Sequence, residues 1–196
     1  MSDRQIEFPG DGVDDGEIRL RLLRDDDRPA LVSALQGPEF GQWTRIPHPY
    51  AAEDADAWLV KQAETRHEGT GLHVAIADAG DDRLLGEVGL TEIEWTEERA
   101  NVGYWVAREN RRRGVATGAV RLLARWAFDA LPLARLAILV DVRNPSSAGV
   151  AEHAGFTREG VLRSYMTIKD TRRDVISYSL LPAELWGEPP APSAVR

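Results

Sequence analysis

The first half of the chain alternates between strand-like and helix-like patterns of apolar residues. Strands are predicted where apolar side chains recur at every second position or form short runs, at residues 17–23, 72–77, 84–93 and 101–107. Helices are predicted at residues 28–36 and 53–66. The segment 37–50 contains too many prolines and glycines for a regular element, and its aromatic residues predict that it packs against the domain.

The second half contains the longest amphipathic pattern. Between residues 114 and 131 apolar side chains recur every three or four positions, as on one face of a helix. Residues 134–142 are a nearly continuous apolar run typical of an interior strand, and a short helix is predicted at 146–154. We expect the strands on either side of the long helix to be parallel. The last strands, 161–168 and 174–180, are joined by a polar turn and predict a hairpin.

These elements predict one α+β domain built on a mixed sheet. A chain of 196 residues is the length of an ordinary globular protein with one core. The acidic, glycine-rich start and the proline-rich end predict flexible tails at residues 1–14 and 187–196. The domain is therefore expected to cover residues 15–186.

Composition and charge argue against several classes of function. The chain has no cysteine, and its four histidines lack the spacing of metal ligands, so no metal is predicted. A formal net charge of −8 argues against nucleic-acid binding and favours a cationic substrate. No apolar stretch is long enough to span a membrane and the N-terminus has no apolar run of a secretory signal, so we expect a cytoplasmic protein.

The most informative stretch lies between a predicted strand and the start of the longest helix. It consists of Arg111, Arg112, Arg113, Gly114, Val115, Ala116 and Thr117. The N-terminus of a helix attracts anions because its first N–H groups are unpaired and its dipole is positive there. Gly114 and Ala116 are small enough to let a phosphate approach the backbone, and arginines add donors for phosphate oxygens. The stretch therefore predicts a pyrophosphate site.

Other phosphate-binding loops lack support in this sequence. No GxxxxGK[ST] pattern occurs, and no GxGxxG follows a predicted strand. A P-loop phosphotransferase and a Rossmann-type dinucleotide-binding protein are therefore disfavoured.

Two motifs, at residues 111–117 and 144–156, together resemble sequence signatures of the GNAT superfamily of N-acetyltransferases. Arg111, Gly114 and Ala116 match its Arg/Gln-x-x-Gly-x-Gly/Ala signature. Residues 144–147 (NPSS) and 152–156 (EHAGF) resemble the N-x-x-S…E-x-x-GF pattern of its RimJ/RimL-type branch. The resemblance implies a GNAT-type mixed, mostly antiparallel sheet of about six or seven strands, with helices on both faces and a splayed parallel pair of strands at the centre.

The resemblance also implies that acetyl-CoA is the acyl donor. The backbone of Tyr104, Trp105 and Val106 would pair with the pantetheine arm, and an N–H near Val106 would polarise the thioester carbonyl. Asn144 would contact the same arm, and Ser147 would lie near the thioester sulfur. Asn144 could also start the turn, with Ser146 or Ser147 as the cap of the short helix, and the two roles are compatible.

The acid and base of the reaction are left open by the sequence. Many GNAT enzymes use a tyrosine as the acid, but the matching position here is Ala151, which leaves Ser147, Tyr165 or water. An alkyl ammonium has a pKa of roughly 10 and must lose a proton before it attacks. The candidate bases are carboxylates on predicted central strands, namely Glu87, Glu92 and Asp141. His48, His73 and His153 are interpreted as packing or surface residues, because each lacks a partner that the sequence reveals; the alternative for His153 is a place near the CoA phosphates.

The acceptor is an amine, and two classes remain. Members of the branch that this chain resembles often act on the N-terminal α-amine of a ribosomal protein, and we favour a protein N-terminus. A small molecule such as an antibiotic or amino-acid derivative is the alternative, and a non-catalytic acyl-CoA-binding domain is the third. A homodimer is common among similar proteins, although the sequence specifies no interface. Four aromatic residues either form walls of the acceptor pocket or belong to the core, namely Trp43, Tyr50, Trp95 and Tyr165.

Overall fold

The computed structural model describes residues 5–185 of the chain. The strands are β1 Val13–Asp14, β2 Ile18–Leu22, β3 Leu72–Asp78, β4 Leu84–Glu94, β5 Arg99–Val106, β6 Arg135–Asp141, β7 Thr157–Ile168 and β8 Thr171–Leu180. The helices are α1 Arg28–Ala34, α2 Pro38–Trp43, α3 Ala52–Glu68, α4 Val115–Ala130, α5 Pro145–His153 and α6 Pro182–Leu185.

All eight strands form one sheet, in the order β1-β2-β3-β4-β5-β6-β8-β7. Neighbouring strands are antiparallel except β5 and β6, which are parallel and pair only at residues 99–101 with 135–137. Beyond Asn101 the two strands continue without pairing to each other, so the sheet opens there. This confirms the mixed, mostly antiparallel sheet with a splayed parallel pair. The structure adds the two-residue strand β1 to the expected six or seven strands.

Helices cover both faces of the sheet, as expected. On one face α4 buries Val120, Leu123 and Ala127 against strand residues such as Leu136, and α5 adds Ala151 to the same core. On the other face α1, α2 and α3 pack over a second core. Within residues 5–185 no helix combines the length and apolar character needed to cross a bilayer.

Residues 5–14 belong to the folded unit, although the sequence assigns them to a flexible tail. Ile6 and Phe8 are buried, and the Phe8 ring contacts Trp126 with its centroid 4.7 Å away. β1 then pairs with β2. Two apolar side chains are enough to anchor a segment whose composition is otherwise acidic and glycine-rich. Residues 1–4 and the predicted tail at 187–196 lie outside the described residues.

The segment 37–50 contains a helix, which corrects the prediction of an irregular segment. α2 begins at Pro38, where proline's fixed backbone angle suits the first helical turn. Phe40 is buried and fastens this helix to the second core. The proline at residue 38 therefore starts an element here and does not break one.

The final hairpin is longer than predicted and turns at two residues. β7 and β8 pair from Thr157 and Ser179 to Ile168 and Thr171. The turn residues Lys169 and Asp170 have positive φ angles of 45° and 63°. Two positive φ angles in a two-residue loop are the geometry of a tight hairpin turn.

Candidate active site

A cavity of about 730 Å³ reaches the point where β5 separates from β6. Gly103, Tyr104 and Trp105 of β5 line it, just beyond the last residue that pairs with β6. The opposite walls come from α3, from the segment after α2 and from the β7–β8 hairpin, through Trp58, Tyr50 and Met166 among others. The cavity therefore joins the opening in the sheet to the face that α1–α3 cover.

Tyr104, Asn144 and Ser147 lie together at the opening of the sheet. The Tyr104 hydroxyl is 2.8 Å from Ser147 Oγ and donates to the Ser147 carbonyl oxygen at 3.1 Å. Burial raises the pKa of Tyr104 to about 12, so this phenol keeps its proton at neutral pH. Asn144 caps α5, because its Oδ1 accepts the Ser147 backbone N–H at 3.1 Å. The sequence predicts Ser146 or Ser147 as the cap of this helix, whereas in the structure Asn144 is the cap and Ser147 lies in the first turn.

The stretch at residues 111–117 forms the turn into α4. Gly114 is the N-cap residue, with a φ of +79° that disfavours any other residue type. No side chain of the described residues caps this helix, so N–H groups of its first turn remain available to an anion. Arg112 and Arg113 are exposed and form no ion pair within residues 5–185. Val115, Ala116 and Thr117 occupy the first turn itself.

Arg111 is held by the protein in a way that its two neighbours are not. Its Nε donates to the Val106 carbonyl oxygen at 2.8 Å, and its Nη1 donates to Glu39 Oε1 at 2.6 Å. Its guanidinium also lies over the Phe40 ring, 5.6 Å from the centroid. Arg111 thus connects the turn to β5 and α2, which leaves Arg112 and Arg113 as the free cations of the stretch.

Glu87 is the predicted carboxylate that faces the cavity. It lies opposite Trp105 in the β4–β5 pairing and is only 6% exposed. Trp58 Nε1 donates to Glu87 Oε2 at 2.8 Å, and His73 Nδ1 is 3.1 Å from Oε1. Burial, together with the charge of Glu87, raises the pKa of Tyr50 to about 12 in the same cavity.

The other candidate acids and bases lie elsewhere. Glu92 is exposed, accepts a hydrogen bond from Asn101 and lines a separate cavity of about 250 Å³ together with Tyr165. Asp141 is buried and receives two side-chain hydrogen bonds from Arg143, which hold its pKa below the usual range and make it a weaker base. Of the three predicted carboxylates, all within the described part of the chain, Glu87 alone lines the larger cavity.

Sequence reasoning missed the partners of Glu87. His73 does have a partner, contrary to its interpretation as an isolated residue, and Trp58 on α3 completes the group. The available signal was that β3 and β4 are consecutive, largely apolar strands, each interrupted by a polar residue. Of the four aromatic residues considered for the pocket, only Tyr50 lines this cavity within the described chain.

Comparisons with known proteins agree with this architecture. A family model described as an acetyltransferase (GNAT) domain matches residues 17–157. "Putative ribosomal N-acetyltransferase YdaF" of Bacillus subtilis (strain 168) is 37% identical over 175 residues, which cover 87% of this chain and 94% of that protein. Spermidine N(1)-acetyltransferase of Escherichia coli (strain K12) is 28% identical over 112 residues, 57% of this chain and 60% of that one. The solved structure of Mycobacterium smegmatis RimJ in complex with CoA-disulfide has the same fold, with a TM-score of 0.78 at 23% identity, covering 90% of this chain and 85% of that one.

Proposed function

Because the chain belongs to the GNAT acetyltransferase family, it is an acetyl-CoA-dependent N-acetyltransferase, and we propose that its acceptor is the α-amine at the N-terminus of a protein. The similarity to a relative named for ribosomal N-acetyl transfer supports this choice. The similarity to a spermidine acetyltransferase supports the alternative, a small amine.

The charge of the larger cavity is the observation that favours a protein N-terminus. Among the described residues, two carboxylates line it, Asp54 and Glu87, together with two cations, Arg45 and Lys61. Asp54 is partly used already, because its Oδ2 accepts the Ala51 backbone N–H at 2.8 Å. A polyamine carries several ammonium groups and would need an excess of carboxylates. A protein N-terminus carries one ammonium followed by neutral peptide groups, which fits this balance.

On the donor side, we assign the phosphates of acetyl-CoA to the stretch at residues 111–117. Arg112 and Arg113 would pair with phosphate oxygens, and the uncapped N–H groups of α4 would donate hydrogen bonds to the same oxygens. The unpaired edge of β5 at Tyr104, Trp105 and Val106 would bond the pantetheine arm. Asn144 and Ser147 would border the arm from the other side of the opening.

On the acceptor side, the reaction needs a proton acceptor beside the ammonium. The amine nitrogen attacks the thioester carbonyl carbon after losing a proton, and the carbon–sulfur bond then breaks. The buried Glu87 carboxylate lines the acceptor cavity, and its negative charge would attract the ammonium to the place where the proton is given up. Tyr104 and Ser147, whose hydroxyl groups are hydrogen-bonded to each other, would lie near the leaving sulfur.

The proposal is tested by acceptor competition. The purified protein is given acetyl-CoA with three acceptors: a basic peptide with a free N-terminus, the same peptide with that terminus blocked, and spermidine. Products are identified by mass spectrometry and rates are measured by release of the CoA thiol. We expect the free peptide to have a kcat/KM about 100-fold above the other two, because only it presents one α-ammonium followed by peptide groups.

The other possible outcomes of this competition identify a different acceptor or a different function. Preference for spermidine would establish the small-amine alternative, and acetylation of the blocked peptide would identify a lysine side chain as the acceptor. Binding of acetyl-CoA without turnover of any amine would favour the acyl-CoA-binding module. Calorimetry with acetyl-CoA, run on the same preparation, separates that last case from an inactive protein.

A further inference from the structure

Two side chains contact the two oxygens of the Glu87 carboxylate, and neither is among the candidate acids and bases that the sequence predicts. Trp58 reaches from α3 and donates to Oε2 at 2.8 Å. His73 reaches from β3 and places Nδ1 3.1 Å from Oε1. The rings of Trp58 and His73 also touch edge to face, with centroids 4.6 Å apart. The carboxylate and the imidazole are therefore fixed relative to each other.

Gly89 leaves the space that the imidazole occupies. It lies opposite His73 in the β3–β4 pairing, and a Cβ atom there would come within 2.8 Å of His73 Nδ1 and 2.4 Å of the Leu72 carbonyl oxygen. A side chain at residue 89 would push His73 away from Glu87. The contact between the two residues thus depends on the backbone of both strands as well as on the side chains.

The hydrogen bond to Glu87 determines which imidazole nitrogen can accept a proton. An ionised carboxylate can only accept, so His73 Nδ1 must carry the hydrogen, and a neutral imidazole then has its lone pair on Nε2. Nε2 has no hydrogen-bond partner within residues 5–185, and the His73 side chain is 16% exposed. His73 lines the cavity in which the acceptor is expected.

We propose that His73 Nε2 removes the proton from the acceptor ammonium, and that Glu87 holds the imidazole in the tautomer that allows this. The inference rests on the proposed function. The ammonium gives one proton to Nε2, its nitrogen bonds to the thioester carbon, and the carbon–sulfur bond breaks. The second proton lost by the nitrogen ends on the CoA thiol, and His73 releases the first to solvent. Glu87 stabilises the imidazolium that forms, as the carboxylate of a hydrolase triad does.

A kinetic test compares the wild type with His73→Gln, in which an amide N–H can still bond Glu87 but no proton can be taken up. The charged and titratable groups that share the cavity with His73 are Glu87, Asp54, Lys61, Arg45 and Tyr50. We expect kcat to fall about 100-fold near pH 7, with the Kd for acetyl-CoA unchanged. The loss should shrink as the pH approaches the pKa of the acceptor amine, because the amine then deprotonates without help.

Trp58→Phe is the comparison variant, because it keeps an aromatic ring beside His73 and removes the indole N–H that donates to Glu87. We expect its kcat to fall less than about 10-fold, with a pH profile of unchanged shape. If His73→Gln keeps the wild-type kcat and pH profile while Glu87→Gln loses about 100-fold or more, Glu87 is the base and the proposal is overturned.

A second test needs no acceptor and no turnover. NMR of nitrogen-15-labelled histidine reports which ring nitrogen carries the hydrogen. We expect His73 to be protonated on Nδ1 in the neutral wild type and to lose that preference in Glu87→Gln. Protonation on Nε2 in the wild type would overturn the proposal. Because this measurement is independent of catalysis, it separates failure of the His73 assignment from failure of the proposed acetyl transfer.

Discussion

At the scale of single residues, the free cations beside Gly114 are the sharpest test of the donor site. Arg112 and Arg113 are exposed and unpaired within the described chain. The double variant Arg112→Ala, Arg113→Ala should therefore fold as the wild type does. It should bind acetyl-CoA about 10-fold more weakly, roughly 1.4 kcal/mol, because two phosphate contacts are lost. Calorimetry at low and high salt measures this change, and the difference should narrow as salt screens the charges.

Arg125→Ala is the matched control for that variant. Arg125 is exposed on the same helix, ten residues beyond Val115 and so about 15 Å along the axis. Its loss should leave the affinity for acetyl-CoA unchanged. Equal affinities for all three proteins would place the phosphates somewhere other than this turn.

The role of a single residue could be predicted from the sequence only where that role depends on neighbouring residues in the chain. The turn at residues 111–117 could be predicted because its glycine directly precedes the apolar stripe of α4, and an anion site follows from the backbone of such a helix start alone. The contact of His73 with Glu87 could not be predicted from the sequence, because it depends on the register between β3 and β4. Arg111 shows the same limit, since its partner Glu39 is 72 residues away in the chain.

At the scale of elements, long periodic segments were predicted correctly and short ones less well. α4 was evident because its apolar stripe repeats over four turns. α2 has only six residues, and its stability comes from burial of Phe40 and from the Glu39–Arg111 ion pair, neither of which leaves a local pattern. The starts of both hairpin strands were placed too late for a related reason, because these residues are mostly exposed and carry no alternating pattern, whereas the last residues, Ile168 and Leu180, were predicted correctly.

The last three strands share a carboxylate that should make the stability of the sheet depend on pH. Glu159 on β7 pairs with Arg135 on β6 and accepts hydrogen bonds from Ser177 and Ser179 on β8, each at 3.0 Å. The Arg135 hydrogen bonds, with help from both serines, lower the pKa of Glu159 to about 2. A carboxyl group whose pKa is lowered by folding stabilises the folded state at any pH above its ordinary pKa, near 4.5. This contribution to stability disappears as the pH falls towards 2.

Glu159→Gln should accordingly lower the free energy of unfolding at pH 7 by about 1 kcal/mol, a value reduced for the partial exposure of the pair. The difference from wild type should vanish between about pH 4.5 and pH 2. Urea unfolding at several pH values measures it. Glu94→Gln, which removes an ion pair exposed by about half on both sides, should have a smaller effect. A loss for Glu159→Gln that is the same at pH 2 and pH 7 would contradict the linkage.

At the scale of the whole molecule, the architecture followed from the order of the elements. A helix between two strands and a hairpin at the end are enough to predict a mixed sheet with helices on both faces. The opening between β5 and β6 did not follow from that order and came from the family resemblance. The start of the domain was placed too late, because composition reports the average of a segment and gives little weight to two apolar side chains within it.

The true start of the domain can be tested through Phe8. This residue is 7% exposed, lies in the main core and contacts Trp126. Phe8→Ala should lower the free energy of unfolding by about 3 kcal/mol, since it removes a buried ring and leaves a cavity against α4. Val60→Ala, at a side chain that is 60% exposed, should change it by less than about 0.5 kcal/mol. If urea unfolding shows Phe8→Ala to be as neutral as this control, residues 5–14 contribute nothing to the core and the domain begins at residue 15.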